Sequence, residues 1–252
     1  MKARILITIL IASLVISVVS VGFGAAKANK PPEAGRPKKL EQIIFLHPAA
    51  PDKPGKPDKP PGKPPKDEKP IDNSAYELIG PVLSVPANYY INPNVKLITE
   101  GDATAAILSA VLAWDSATAK DLLNCAGPTT ENWYKKDGQN TVSWVPFLPR
   151  DYIAITSIWY DPETNIIEEF DIVFNALHKW GVDPVKEDQD KIKAFDIQNI
   201  ATHEFGHAIG LDDLYDSLYR ELTMYGYSSK GETIKCSLEE GDIAGAQELY
   251  NE

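Results

Sequence analysis

The chain predicts an α+β fold with helices packed against one twisted sheet. Three observations carry that prediction. Runs rich in β-branched and aromatic residues recur at Thr141–Val145, Ile153–Tyr160 and Ile166–Phe174. Apolar residues at helical spacing flank them on both sides, as in Ala103, Ile107, Ala110, Val111 and Trp114. No internal repeat orders the mixture into an array.

Each segment follows from its local composition. Residues 1–28 read as a signal peptide or membrane anchor. Lys2 and Arg4 make a basic start, Ile5 to Val21 is almost wholly apolar, and Ala26-Lys27-Ala28 is a small-x-small cleavage motif. In either form the remainder is expected to be exported, secreted or anchored at the cell surface. Residues 29–70 are a Pro/Lys-rich tract, as in Pro51-Asp52-Lys53-Pro54-Gly55-Lys56-Pro57, and are expected to form a disordered, extended linker. Some 40 residues at about 3.1 Å each reach about 120 Å, enough for a tether to the membrane or across a cell envelope. One apolar island, Leu40-Glu41-Gln42-Ile43-Ile44-Phe45-Leu46, interrupts it. It reads as a short sticky patch rather than as a pro-segment docked on the body.

The folded body is expected over 71–252. Tyr89–Asn92 and Val95–Ile98 read as a strand region broken by Asn92-Pro93-Asn94. Thr99 caps a helix running to about Leu123, with Asp102 favouring its positive end. Asp161-Pro162-Glu163-Thr164-Asn165 turns one strand back into the next, a hairpin placed at the outer part of the sheet. Asp196 caps a helix over Ile197–Ile209. Ser237 with Glu240 forms a capping box for a last helix, Leu238–Tyr250.

Composition narrows the functional classes. The formal net charge is −11, with the acidic excess in the body and a small basic excess in the linker. That argues against nucleic-acid binding. An acidic body is compatible with structural Ca²⁺, with Asp171 as the candidate ligand. The two cysteines, Cys125 and Cys236, predict a disulfide in an exported chain.

The chemistry lies in His203-Glu204-Phe205-Gly206-His207-Ala208-Ile209-Gly210-Leu211-Asp212-Asp213. Histidines four apart share a helix face, where both imidazoles can bind one Zn²⁺. Gly210 can end the helix in the left-handed conformation and return Asp213 as third ligand, with Asp212 as the competing carboxylate. Three protein ligands with an open position describe a catalytic zinc. Glu204 is placed as general base on the attacking water and as donor to the leaving amine. The remaining histidines, His47 and His178, lack ligand spacing to a partner and read as structural.

With these residues in view, the body resembles a metzincin metalloprotease of the matrixin type. Leu222-Thr223-Met224-Tyr225 resembles the Met-turn of that clan, with Met224 packed below the metal rather than bound to it. Asp137–Trp144, Glu169–Asn175 and Leu238–Tyr250 also resemble matrixin segments. The resemblance covers about residues 85–252 and implies a twisted mixed sheet, three main helices and an active-site cleft. It also implies an extended peptide substrate along the outer sheet edge. Three departures stand out. Asp213 replaces the usual third histidine, no prodomain cysteine precedes the body, and Gly226-Tyr227 replaces the proline-containing stretch after the Met-turn. The family's structural zinc needs histidines that this chain lacks.

The expected activity is that of a monomeric zinc endopeptidase acting on protein or peptide substrates. Two other classes use the same residues: a zinc amidase acting on cell-envelope material, and a non-catalytic surface binding module. Casein against envelope material separates the first, and zinc stoichiometry with chelator-sensitive proteolysis separates the second.

Overall fold

The computed structural model describes residues 39–50, 72–132, 134–183 and 193–251. The expected signal or anchor segment and most of the expected linker lie outside these residues. The described part is an α+β arrangement. Its seven-stranded mixed sheet has the order β1-β6-β7-β5-β3-β4, with β2 paired to β7.

The strands are β1 (Glu41–Pro48), β2 (Val82–Leu83), β3 (Ala87–Ile91), β4 (Leu123–Pro128), β5 (Asn140–Val145), β6 (Tyr152–Asp161) and β7 (Ile166–Asn175). A small pair, β8 (Trp180–Gly181) and β9 (Phe195–Asp196), lies apart. Three α-helices are described: α1 (Glu100–Asp115), α2 (Ile197–Ile209) and α3 (Glu240–Tyr250). β3, β4, β5 and β7 run parallel where they pair, while β6 is antiparallel to both β7 and β1.

The helices α1 and α2 cover one face of the sheet. Trp114 is fully buried there, and its indole N–H donates to the Thr202 carbonyl at 2.8 Å. The opposite face carries a smaller cluster of Val145, Leu148, Ile155 and Val173. Burial on both faces accounts for the near-continuous apolar runs of β6 and β7.

The first helix is shorter than its sequence suggests. Asp115 accepts the Leu122 N–H at 2.7 Å, and Leu123 begins β4 beside Ala87 of β3. The stretch Ser116–Lys120 offers no apolar residue large enough to hold a helix on the sheet. Val95–Ile98 is a turn rather than a strand, with Leu97 at φ +69°. The last helix starts at Glu240, capped by Glu239 with Asp242 instead of Ser237 with Glu240. Asp242 also serves a second purpose, described below.

The largest departure is β1. The apolar island Leu40–Leu46 is not part of an extended linker. It forms a strand along the outer edge of β6, in register from Glu41 opposite Tyr160 to His47 opposite Ala154. The physical reason is its alternation. Phe45 and His47 point inward and are buried, whereas Ile44 and Leu46 face outward.

Candidate metal centre and cleft

The candidate metal-binding face is built by α2. Asp196 accepts the Asn199 N–H at 2.7 Å and fixes the helix start. Gly210 ends the helix at φ +117°, and its N–H returns to Gly206 and His207 carbonyls. This reversal carries Leu211–Asp213 back towards the helix, as the motif predicts. His203, Glu204 and His207 are each buried.

Both histidines are held by their Nδ1 atoms. Nδ1 of His203 pairs with the Thr223 carbonyl at 2.8 Å, and Nδ1 of His207 with the Leu211 carbonyl at 3.0 Å. A carbonyl only accepts, so Nδ1 carries the proton and each Nε2 presents a lone pair. Those two Nε2 atoms lie 3.3 and 3.6 Å from Oδ1 of Asp213. All three are buried without a hydrogen-bond partner. Three facing lone-pair atoms repel one another unless a cation lies among them. Two imidazoles with a carboxylate suit Zn²⁺, so the residues present fit the metal. Burial lowers the proton affinity of both histidines, which also favours the ligating, neutral form.

Asp213, not Asp212, supplies the converging oxygen. Asp212 instead accepts the Asp213 N–H at 2.8 Å. The other Asp213 oxygen, Oδ2, accepts from the Tyr215 hydroxyl at 2.9 Å, which aims Oδ1 at the imidazoles. Sequence reasoning missed Tyr215. Gly226 makes room for this pair, since a Cβ there would stand 2.5 Å from the Tyr215 ring and 3.0 Å from Asp213 Oδ1.

Met224 is buried beneath α2, where the Met-turn resemblance puts it. A Cβ on Gly206 would meet its Sδ at 2.2 Å, so the helix glycine permits the approach. Asp242 holds the turn by accepting the Thr223 and Met224 N–H groups at 2.9 and 3.1 Å, alongside its cap on α3. One buried carboxylate thus ties the last helix to the floor of the site.

Glu204 lies between the sheet and the cleft. Thr156 of β6 donates to its Oε2 at 2.6 Å. Its Oε1 lies 2.8 Å from Nδ1 of His47, which is buried against the ring of His203 at a centroid distance of 4.0 Å. Phe45 stacks on His207, also at 4.0 Å. Burial raises the proton affinity of Glu204. His47 therefore does not lie in a loose tract away from the site. The signal that could have revealed it is the i, i+2 alternation of Phe45 and His47 within an otherwise Pro/Lys-rich stretch. His178 is structural as expected, with Nε2 2.9 Å from the Tyr152 carbonyl and its ring edge-on to Phe195.

Two expectations are corrected. Cys125 and Cys236 are free thiols, not a disulfide. Cys125 lies in β4 beside Tyr89, while the Cys236 thiol donates to Asp196 at 3.3 Å at the head of α2. Asp171 is not offered to Ca²⁺. Its oxygens accept the Lys135 and Thr141 N–H groups at 2.9 and 3.0 Å, and Glu169 likewise clasps Asp137 and Gly138. Among the described residues, the only candidate metal groups are His203/His207/Asp213 and His47/His203/Glu204.

The family model described as Matrixin, of the peptidase family M10, matches residues 153–251, from β6 through α3. That span contains His203, Glu204, His207, Asp213 and Met224, while His47 lies outside it. No curated protein matches the chain.

Proposed function

We propose that this chain, whose residues 153–251 match the Matrixin family model, is a zinc-dependent endopeptidase, exported and acting as a monomer on extended protein or peptide substrates. One observation carries this reading: Nε2 of His203, Nε2 of His207 and Oδ1 of Asp213 converge, buried and without partners. These atoms would hold a zinc ion, which would supply Lewis acidity to the scissile carbonyl and lower the pKa of an attacking water.

The chain's own residues do the rest. Glu204 takes the water proton on a carboxylate oxygen and returns it to the leaving nitrogen. Its burial favours that exchange, because a desolvated carboxylate binds a proton more readily than an exposed one. Thr156 keeps the carboxylate in one rotamer through its bond to Oε2. The edge of β6 supplies backbone N–H and C=O groups to hold a substrate strand in the extended form. Met224 and Asp242 keep Thr223 in place, and with it the ring orientation of His203.

The test is hydrolysis of casein and a mixed peptide pool by zinc-loaded protein, with and without chelator. Chelator-sensitive cleavage restored by zinc is expected once the cleft is open. A protein that binds no zinc, or binds it and cleaves nothing with β1 displaced, would overturn the reading.

A further inference from the structure

The substrate groove proposed above is already filled by the chain itself. β1 is antiparallel to β6 along its length, and at its end it meets a second wall. Ala49 N–H donates to the Asp151 carbonyl and Ala50 N–H to the Ser228 carbonyl, each at 2.9 Å. Ala49 and Ser228 pair in parallel. An extended segment thus runs between two backbone walls directly over the candidate metal ligands. Beyond Ala50 the groove continues as a cleft of about 910 Å³ past Asp151, His178 and Ser229.

The fit is in the side chains as well as the backbone. Phe45 covers the His207 ring and His47 covers the His203 ring. His47 is joined into an ordered relay. The buried Lys235 ammonium donates to Ser228 Oγ at 2.7 Å. The Ser228 hydroxyl lies 3.1 Å from Nε2 of His47 and donates to it. Nδ1–H of His47 then donates to Glu204 at 2.8 Å. Every polar atom of the imidazole is satisfied, and the relay needs donor and acceptor on opposite sides of one ring. A loosely adhering patch would not complete such a network.

We propose that the outer edge of β6, with the polar pocket formed by Ser228 and Lys235, is a peptide-binding groove whose resident occupant is residues 41–50 of this chain, held by His47 and Phe45. The protein is therefore self-blocked. A substrate strand gains the β6 edge and the Glu204 carboxylate only after β1 leaves. His47 is a positioning residue of the blocked state, not a participant in hydrolysis. This inference rests on the peptidase reading for the identity of the groove, but its test is separable from it.

The experiment uses the full zinc-loaded chain and compares wild type with a Phe45→Ala/His47→Ala variant. Two readouts are taken: amide exchange along β6, and affinity for a peptide hydroxamate that must enter the groove. A blocked groove lowers apparent affinity by the fraction of molecules that are open, so opening it should tighten binding about tenfold or more. Faster exchange at β6 should accompany the gain. A synthetic peptide of sequence 41–50 should compete with the hydroxamate in the variant, and its His47→Ala counterpart should compete less. Should the double variant fail to fold, His47→Gln in the full chain serves the same comparison. Hydroxamate affinity unchanged while β6 loses protection would overturn the proposal, as would equal competition by both peptides. An opened variant that binds hydroxamate but cleaves no peptide would support the groove while overturning the peptidase reading.

Discussion

Nδ1 of His47 lies 2.8 Å from Oε1 of Glu204, although 157 positions separate the two residues in the chain. On the other side Thr156 donates to Oε2 at 2.6 Å. Both oxygens of the buried carboxylate are engaged, one by the sheet and one by the strand laid along its edge. The relationship makes Glu204 the junction between α2, the sheet and the N-terminal tract.

On the proposed reading Glu204 carries the proton and does not bind the metal. Glu204→Gln in the opened variant should reduce turnover by about 10²–10⁴-fold, the range for losing a positioned general base. Zinc content by elemental analysis should stay at the parent level. Unchanged turnover, or zinc lost along with activity, would contradict this role.

Thr156 orients that carboxylate. Thr156→Val keeps the volume but removes a charge-assisted hydrogen bond worth about 1.5–3 kcal/mol. The expected result is about a ten- to hundredfold fall in kcat with KM little changed. Thr156→Ser should recover most of it. A rise in KM alone would point to substrate contact instead of orientation.

The site was largely legible in the sequence because its chemistry is local. His203, Glu204, His207 and Gly210 lie on one helix and its cap, so spacing alone sets their geometry. Asp213 follows within one reversal. What was illegible depends on long-range pairing. Nothing in the Leu40–Leu46 run states that its partner is β6, more than a hundred residues later. A single polar residue such as Thr156 or Tyr215 has no period to mark its target. The extent of α1 was misread for a related reason: Leu122 and Leu123 continue an apolar pattern, but β3 competes for them and wins.

Gly206 should resist even the smallest side chain. Gly206→Ala gains about 1 kcal/mol of helix propensity. Its Cβ, however, would stand 2.2 Å from Met224 Sδ and 3.0 Å from the Trp114 ring, both buried. Overpacking of about 1–3 kcal/mol should prevail. A lower urea midpoint and weaker zinc retention are expected, because Thr223 moves with Met224. A higher midpoint would show that Met224 can swing aside.

Asp171 should leave a signature in the pH dependence of stability. Burial pushes its carboxyl up from 3.8 to about 8, against the pull of its two backbone N–H donors. Between those pH values the native state holds a proton that the unfolded chain has released. The stabilisation is full below about pH 4 and is lost as pH rises through about 8. Asp171→Asn cannot titrate, so its denaturation midpoint should fall less across that window than the parent's. Parallel curves would show that Asp171 is ionised throughout.

While β1 stays in place, β6 has no bare edge. Its departure leaves a row of unpaired donors and acceptors on a strand already shaped to receive a partner. In a concentrated solution the nearest matching segment belongs to a neighbouring molecule. Two opened chains could then trade strands reciprocally, each silencing the other. Specific activity would fall as protein concentration rises, and dilution would bring it back.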